Sequence, residues 1–399
     1  MMLENRFLEY LKIDTQSCSD SQSAPSSTKQ LDLANLLVSQ LHELNVTNAH
    51  VDEHGIVYGR IPGNGGNQDV IGFIAHMDTS PDASGANVKP RIIRNYQGGK
   101  IQLNSDRSLD PKEFETLAKV IGDDIVVTDG TTLLGADDKA GIAIIMEMIS
   151  YLNDNPQIIH SDIQIAFTPD EEVGRGTKHF DLEKFNARYA YTIDGGFINE
   201  ISYENFNAYS AQVAITGKSV HPGSAKNKMV SATMIAIEFE TMLPLHKRPY
   251  FTSEYEGFNH LTKIDGTVEQ ATMEYILRNH SIDKLNEQIG EFNKIAAFLN
   301  DKYGYQAIKV KFEESYLNMS PIIEKNYHIV ENVIAKMKEL GIKPKIIPTR
   351  GGTDGALLSH MGLPCPNLGT GGANFHGPYE FVSLTQMQKQ VELLVRIVS

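Results

Sequence analysis

The residues best placed to do chemistry are His76 and Asp78, Asp137 and Asp138, Glu171 and Glu172, Asp194, and His376. All are imidazoles or carboxylates, the donor types that suit zinc, cobalt or manganese. In Leu133-Leu134-Gly135-Ala136-Asp137-Asp138-Lys139-Ala140-Gly141, two acidic residues stand at the mouth of an apolar run, Ile142 to Ile149. An aspartate there suits a helix N-cap, because its oxygen accepts orphan backbone N–H groups. It equally suits a carboxylate whose two oxygens bridge two cations. His76 and Asp78 are spaced i, i+2, and on extended backbone such side chains point the same way. One can ligate a metal while the other orients the imidazole, although a surface ion pair has the same spacing. Glu171 and Glu172 read as an exposed acidic turn or as groups gathered at a site, since burying like charges together is costly. Asp194 opens an Asp-Gly-Gly turn, and His376 lies in the glycine-dense loop 369–377. Singly, each has a structural explanation. Together they are enough for two metals, since five ligands suffice if one carboxylate bridges.

The elements that must position these groups are legible. Val70 to Ala75 is a continuous apolar run rich in β-branched residues, which fits a buried central strand ending in His76. Ile163 to Thr168 and Tyr189 to Ile193 are further strands, followed by the glutamate pair and by Asp194. In open sheets with helical crossovers, functional groups gather where strands end. Strands are also expected at 46–51 and 56–61, and helices at 4–13, 28–44, 324–340 and 384–398. The Ser-rich stretch 14–27 reads as a mobile loop. The polar section 80–124 shows few periodic signals. From about Phe206 the order becomes β-α-β-β-α-β, the ferredoxin-like split unit. The α/β pattern resumes after it, so the unit is an insertion: 1–206 and 317–399 form an α/β domain interrupted by 207–316.

Composition narrows the function classes. A length of 399 residues with 41% hydrophobic and 22% charged residues suits a soluble multidomain protein with a sizeable core. The formal net charge of −14 argues against nucleic acid and anionic membranes as partners. No apolar run approaches the ~20 residues of a bilayer span, and Met1 to Phe7 lacks the apolar core of a signal peptide. Only Cys18 and Cys365 are present, which leaves neither a disulfide framework nor a Cys-based zinc site. The expected location is the cytoplasm.

Seven segments, in chain order, resemble the dinuclear zinc exopeptidases and aminoacylases, and within them the tripeptide-cleaving aminopeptidases. They are Ala75-His76-Met77-Asp78-Thr79, Gly135-Ala136-Asp137-Asp138-Lys139-Ala140-Gly141, Thr168-Pro169-Asp170-Glu171-Glu172-Val173-Gly174, Ile193-Asp194-Gly195-Gly196, Ser219-Val220-His221-Pro222-Gly223, Thr349-Arg350-Gly351-Gly352-Thr353-Asp354-Gly355, and the loop ending at His376. The resemblance spans essentially the whole chain, and no ligand position departs from it. It implies a three-layer catalytic domain with an inserted ferredoxin-like lid that also supports homodimerisation. It implies two Zn2+ per chain, with Co2+ or Mn2+ able to substitute: His76 and Asp194 on one, Glu172 and His376 on the other, Asp137 bridging. It places a cis peptide just after Asp137, Asp78 behind His76, and Glu171 as general base toward a metal-bridging water. His221 is nominated for the developing oxyanion, and Arg350 with Arg278 for the substrate carboxylate, since the guanidinium fork bonds carboxylates bidentately. The implied reaction is hydrolysis of the N-terminal peptide bond of tripeptides. The alternative is a related amide hydrolysis, N-acyl amino acid deacylation or dipeptide cleavage.

Overall fold

The structure is a computed structural model that describes residues 2–66 and 69–399; Met1, Asn67 and Gln68 lie outside the described residues. Two compact units emerge from the packing. One comprises Met1–Tyr203, Pro321–Ile347 and Thr353–Ser399; the other comprises Glu204–Ser320 and Pro348–Gly352.

The first unit is built on an eight-stranded sheet. Its spatial order is Thr47–Val51, Val57–Ile61, Ile163–Thr168, Ile71–His76, Tyr189–Gly195, Asn367–Gly369, Glu200–Asn205 and Lys345–Thr349. The central four run parallel: Ile71–His76 pairs with Ile163–Thr168 on one side and Tyr189–Gly195 on the other, and Asn367–Gly369 joins the latter. Ile71–His76 is buried at every position, as its unbroken apolar run requires. Gly72 permits this closeness, because a Cβ there would sit 2.6 Å from the Phe185 ring. Helices cover both faces. Ala136–Asp154 packs on strands Ile71–His76 and Tyr189–Gly195 and against helices Leu3–Tyr10 and Leu384–Val398. It is buried almost all round, from Ala136 to Met146, so it behaves as a core helix with no solvent stripe. Phe180, Phe185, Leu358 and Leu363 close over Ile74, Ala166 and Ala190 on the opposite face. The architecture is a three-layer α/β domain.

Two segments differ from the sequence expectation. The polar section 80–124 contributes strand Arg91–Ile93 to a second sheet, ordered Gly372–Ala373, Phe381–Ser383, Ile125–Val127, Arg91–Ile93. Tyr96, Leu109, Leu117 and Val120 pack against it as a small core. The Ser-rich loop is tied down: Ser26 N–H donates to the Asp170 carboxylate, Cys18 N–H to Ser26 Oγ, and Arg175 to the Ser21 and Cys18 carbonyls. Its hydroxyls and carbonyls serve as structural partners.

The second unit has the order Asn207–Thr216, Ala232–Met242, Phe258–Gly266, Gln270–Asn279, Ile282–Tyr303, Ile308–Tyr316. Its antiparallel sheet runs Phe258–Gly266, Gln270–Asn279, Asn207–Thr216, Ile308–Tyr316, the ferredoxin-like arrangement. Alternating residues of Gln270–Asn279 turn inward, and Met273, Tyr275 and Leu277 meet Phe239 and Phe292 of the two helices. Ser231 and Ser281 cap those helices, each accepting a backbone N–H three residues on.

Candidate metal centre and active site

His76 is the last residue of its strand and is 2% exposed. Its Nε2 lies 2.8 Å from Asp137 Oδ1 and 3.5 Å from Asp194 Oδ1. The other Asp137 oxygen is 3.3 Å from His376 Nε2, which is itself 2.9 Å from Glu172 Oε2. Two groups result: His76, Asp137 and Asp194, and Asp137, Glu172 and His376, each with ligand atoms within 4.8 Å of one another. Asp137 belongs to both.

The local chain explains how one carboxylate reaches two imidazoles. Gly135 turns the backbone at φ +83°, the Asp137–Asp138 peptide is cis, and both aspartates have non-helical dihedrals. The adjacent acids divide the work. Asp138, fully buried, accepts N–H bonds from Gly141 (3.1 Å) and His76 (3.2 Å), so it caps the helix and fixes the strand end. Asp137 is left free for the imidazoles.

The glutamate pair is held from two sides. Asp78, 0% exposed, accepts the N–H of Glu171 at 2.9 Å and of Glu172 at 3.2 Å. It also stands behind His76, whose Nδ1 is 3.0 Å from the Asp78 carbonyl and 3.4 Å from its carboxylate. On the other side Asp170, at φ +60°, takes N–H bonds from Ser26 and Gln30, and its own N–H goes to Gln30 Oε1. Beneath the turn, Thr168 Oγ1 donates to buried Asp354 at 2.7 Å. The helix cap expected at the Asp137–Asp138 pair falls to Asp138, while the supporting roles of Asp170 and Asp354 were not anticipated, because their partners come from distant segments.

The charges are unbalanced. Burial alone would depress His76, yet Asp194, Asp137 and Asp78 reverse this and hold it well above 6.5. Bonds to Asp137 and then Glu172 push His376 up to about 11. Burial favours the neutral form of Asp137, but His376 and His76 prevail and hold it below the usual carboxylate range. The remaining acids move up. Burial raises Asp194 to about 6, Glu172 to about 7 and Glu171 well above 4.5, with neighbouring carboxylates adding to each. Four carboxylates crowd two imidazoles, and their mutual repulsion is what bound cations would relieve. Glu172 Oε1, buried, has no hydrogen-bond partner. Two three-residue sets of N and O donors with a shared carboxylate fit a pair of divalent cations.

The other three residues singled out from sequence belong to the second unit. His221 is exposed, and its Nδ1 accepts Gly223 N–H at 3.1 Å in the turn before Pro222-Gly223-Ser224. Arg278 donates to the carbonyls of Tyr209 and Leu277 and lies over the Tyr316 ring. Arg350 spans the Phe206 and Phe258 rings, while its fork takes the carbonyls of Glu254 and Glu256 at 2.8 Å and Thr252 Oγ1 at 2.8 Å. Its planar donors thus secure the loop 252–256.

A mixed α/β sheet with these acids at its parallel strand ends is the setting of a peptidase, and the chain belongs to peptidase family M20/M25/M40, whose model matches residues 129–399. Peptidase T of Clostridium perfringens (strain 13 / Type A) is 49% identical over 398 residues, covering 99% of this chain and 98% of that protein. The crystal structure of aminopeptidase PepT from Bacillus cereus ATCC 10987 is similar with a TM-score of 0.78 at 25% identity, covering 99% of this chain and 97% of that one. A dinuclear metal binding peptidase of the M20 family from Bacillus subtilis shares the fold, with a TM-score of 0.66 at 13% identity over 99% of this chain and 96% of that one. No helix among the described residues is long and apolar enough to cross a membrane.

Proposed function

We propose that this chain is a dizinc aminopeptidase that releases the N-terminal residue of tripeptides. The observation that carries the reading is the pair of ligand groups sharing Asp137, with Glu171 next to ligand Glu172. His76, Asp137 and Asp194 would hold one zinc, and Asp137, Glu172 and His376 the other. When bound, two such metals would supply an acidified water and a Lewis acid for the scissile carbonyl.

The chain's own groups do the rest. Asp78 fixes the backbone of Glu171 and Glu172 together, so the base and its neighbouring ligand are set by one carboxylate. Burial raises Glu171 above the usual carboxylate range, which makes its oxygen a stronger proton acceptor than an exposed glutamate. Glu171 takes a proton from the attacking water and returns it to the departing amine. His221, Arg278 and Arg350 are assigned to substrate contact, the histidine to the developing oxyanion and the arginines to the peptide carboxylate, for which Arg350 must exchange its bonds to the loop 252–256. The close similarity to proteins named peptidase T supports the choice of tripeptides. A cytoplasmic homodimer completes the proposal.

The test uses zinc-loaded protein with one tripeptide in free, N-acetylated and C-amidated forms, a matching dipeptide and tetrapeptide, and a chelator control. The expected result is chelator-sensitive release of the first residue from the free tripeptide alone. Glu171→Gln should keep two zincs and lose about a hundred- to ten-thousandfold in kcat. Cleavage of the acetylated peptide would replace the aminopeptidase by a related amide hydrolase.

A further inference from the structure

Unlike His76 and Asp194, His376 stands on no strand of the parallel sheet. It is in a loop, at φ +64°, with a side chain 43% exposed, whereas its counterpart His76 is buried at a strand end. Something must hold that loop against Asp137. Four residues further on, Glu380 is 1% exposed and carries no ion pair in the described structure. Its carboxylate turns to the segment that leads into the shared ligand. Oε2 accepts the N–H of Leu134 at 2.7 Å and of Gly135 at 2.9 Å, and Oε1 accepts the N–H of Asp137 at 3.1 Å. Three backbone donors within four residues, the last on the bridging aspartate itself, converge on one side chain. The loop is further shaped by Asn374, two residues before His376, which donates to the Tyr379 carbonyl and accepts from Thr116 Oγ1.

We infer that Glu380 is a positioning residue that keeps the His376 loop in register with Asp137, and that the group Asp137, Glu172 and His376 depends on it more than the group His76, Asp137 and Asp194 does. The asymmetry follows from the supports. His76 and Asp194 stand on paired parallel strands, and Asp138 and Asp78 already secure His76. Glu172 is secured by Asp78. His376 lies in the loop between the paired strands Gly372–Ala373 and Phe381–Ser383, with Asp82 Oδ2 3.6 Å from its Nδ1, and Glu380 is the side chain of that loop that bonds the segment of Asp137. A glutamine there keeps the shape but offers one acceptor oxygen and places an NH2 against a backbone N–H.

This inference rests on the two-metal reading, and the experiment separates the two. Zinc alone is titrated into the metal-free full-length protein against a chromophoric chelator. The parent, Glu380→Gln, Glu380→Asp, His376→Ala and the double variant His376→Ala with Glu380→Gln are compared. The parent should bind two zincs; fewer would overturn the two-metal reading and this inference together. Glu380→Gln should keep one zinc within about threefold of the parent affinity and weaken the other by about ten- to a hundredfold. Glu380→Asp should show the same split at smaller size, and it decides the matter if the glutamine variant does not fold. His376→Ala and the double variant should bind their remaining zinc alike, because Glu380 acts through the histidine loop. Equal weakening of both sites, unchanged binding at both, or additive losses in the double variant would overturn the inference while leaving the two-metal reading intact. A purely structural role would lower the melting temperature without splitting the two affinities.

Discussion

Asp78→Asn is the sharpest probe of how the centre is held. The carboxylate is fully buried and supplies one oxygen to the Glu171 N–H and the other to the Glu172 N–H. The amide has the same shape but a single acceptor, so one charge-assisted bond becomes two donors facing each other. Bonds of this kind contribute about 1.5–3 kcal/mol. If that loss falls on the placement of base and ligand, kcat/KM drops about ten- to a hundredfold. Asp78→Ala, which leaves both N–H groups unpaired, should drop it further. The assay is kcat/KM on a tripeptide at saturating zinc, with zinc content measured on the same samples. A Asp78→Asn enzyme within threefold of the parent, with two zincs bound, would refute the reasoning: the turn would then be held by Asp170 alone.

Other expectations follow from the same contacts. Gly141→Ala should prevent stable folding, because the new Cβ would lie 2.0 Å from the Ile193 carbonyl, and neither the helix nor the strand can retreat; expression and thermal unfolding report it. Phe292→Ala should remove about 3–5 kcal/mol from the second unit, whose core it joins with Phe239 and Tyr275, measured by denaturant unfolding. His280, packed at a tilt against the Phe206 and Tyr255 rings, is held down to about 4 by burial and the nearby Arg350 charge. The unfolded chain therefore takes up its proton first, so its contribution is whole above about 6.5 and fades as the pH falls toward 4. After allowance for its partial exposure, that loss is at most about 2 kcal/mol. His280→Phe should flatten the acid side of the stability curve. Zinc at a thousand times its dissociation constant should stabilise the protein by about 4 kcal/mol per site, and a chelator should abolish the gain, read as a melting-temperature shift.

The sequence made the strand ends legible because Ile71–His76, Ile163–Thr168 and Tyr189–Gly195 are largely buried on both faces and read as predominantly apolar runs. The second unit was legible for the opposite reason: Gln270–Asn279 alternates strictly and Ile282–Tyr303 keeps one apolar face. Arg91–Ile93, Ile125–Val127 and Phe381–Ser383 escaped notice because three residues cannot display a period. The acids lining the site could be picked out by type, but not the groups beneath them. Asp170 meets Ser26 and Gln30 from at least 140 positions away, and Glu380 meets Leu134 from 246. Such pairs are encoded only in the packed fold. Periodicity shows which residues are buried together, and says nothing about which buried acid bonds which backbone.

The strand order also sets a schedule for the ribosome. Asn367–Gly369 is inserted between Tyr189–Gly195 and Glu200–Asn205, and Asn367 bonds Thr192 across 175 positions. During synthesis, which delivers about 5–20 residues per second, the central sheet keeps a gap where that strand belongs. Glu204–Ser320 can meanwhile gather into its own sheet, because its strands and helices are contiguous in the chain. Asp194 lacks its neighbouring strand, and His376 and Glu380 do not yet exist, until the gap is filled. A nascent chain therefore carries the acids of a peptide-cutting centre without the completed centre, and the hydrolytic power arrives only with the closing of the sheet.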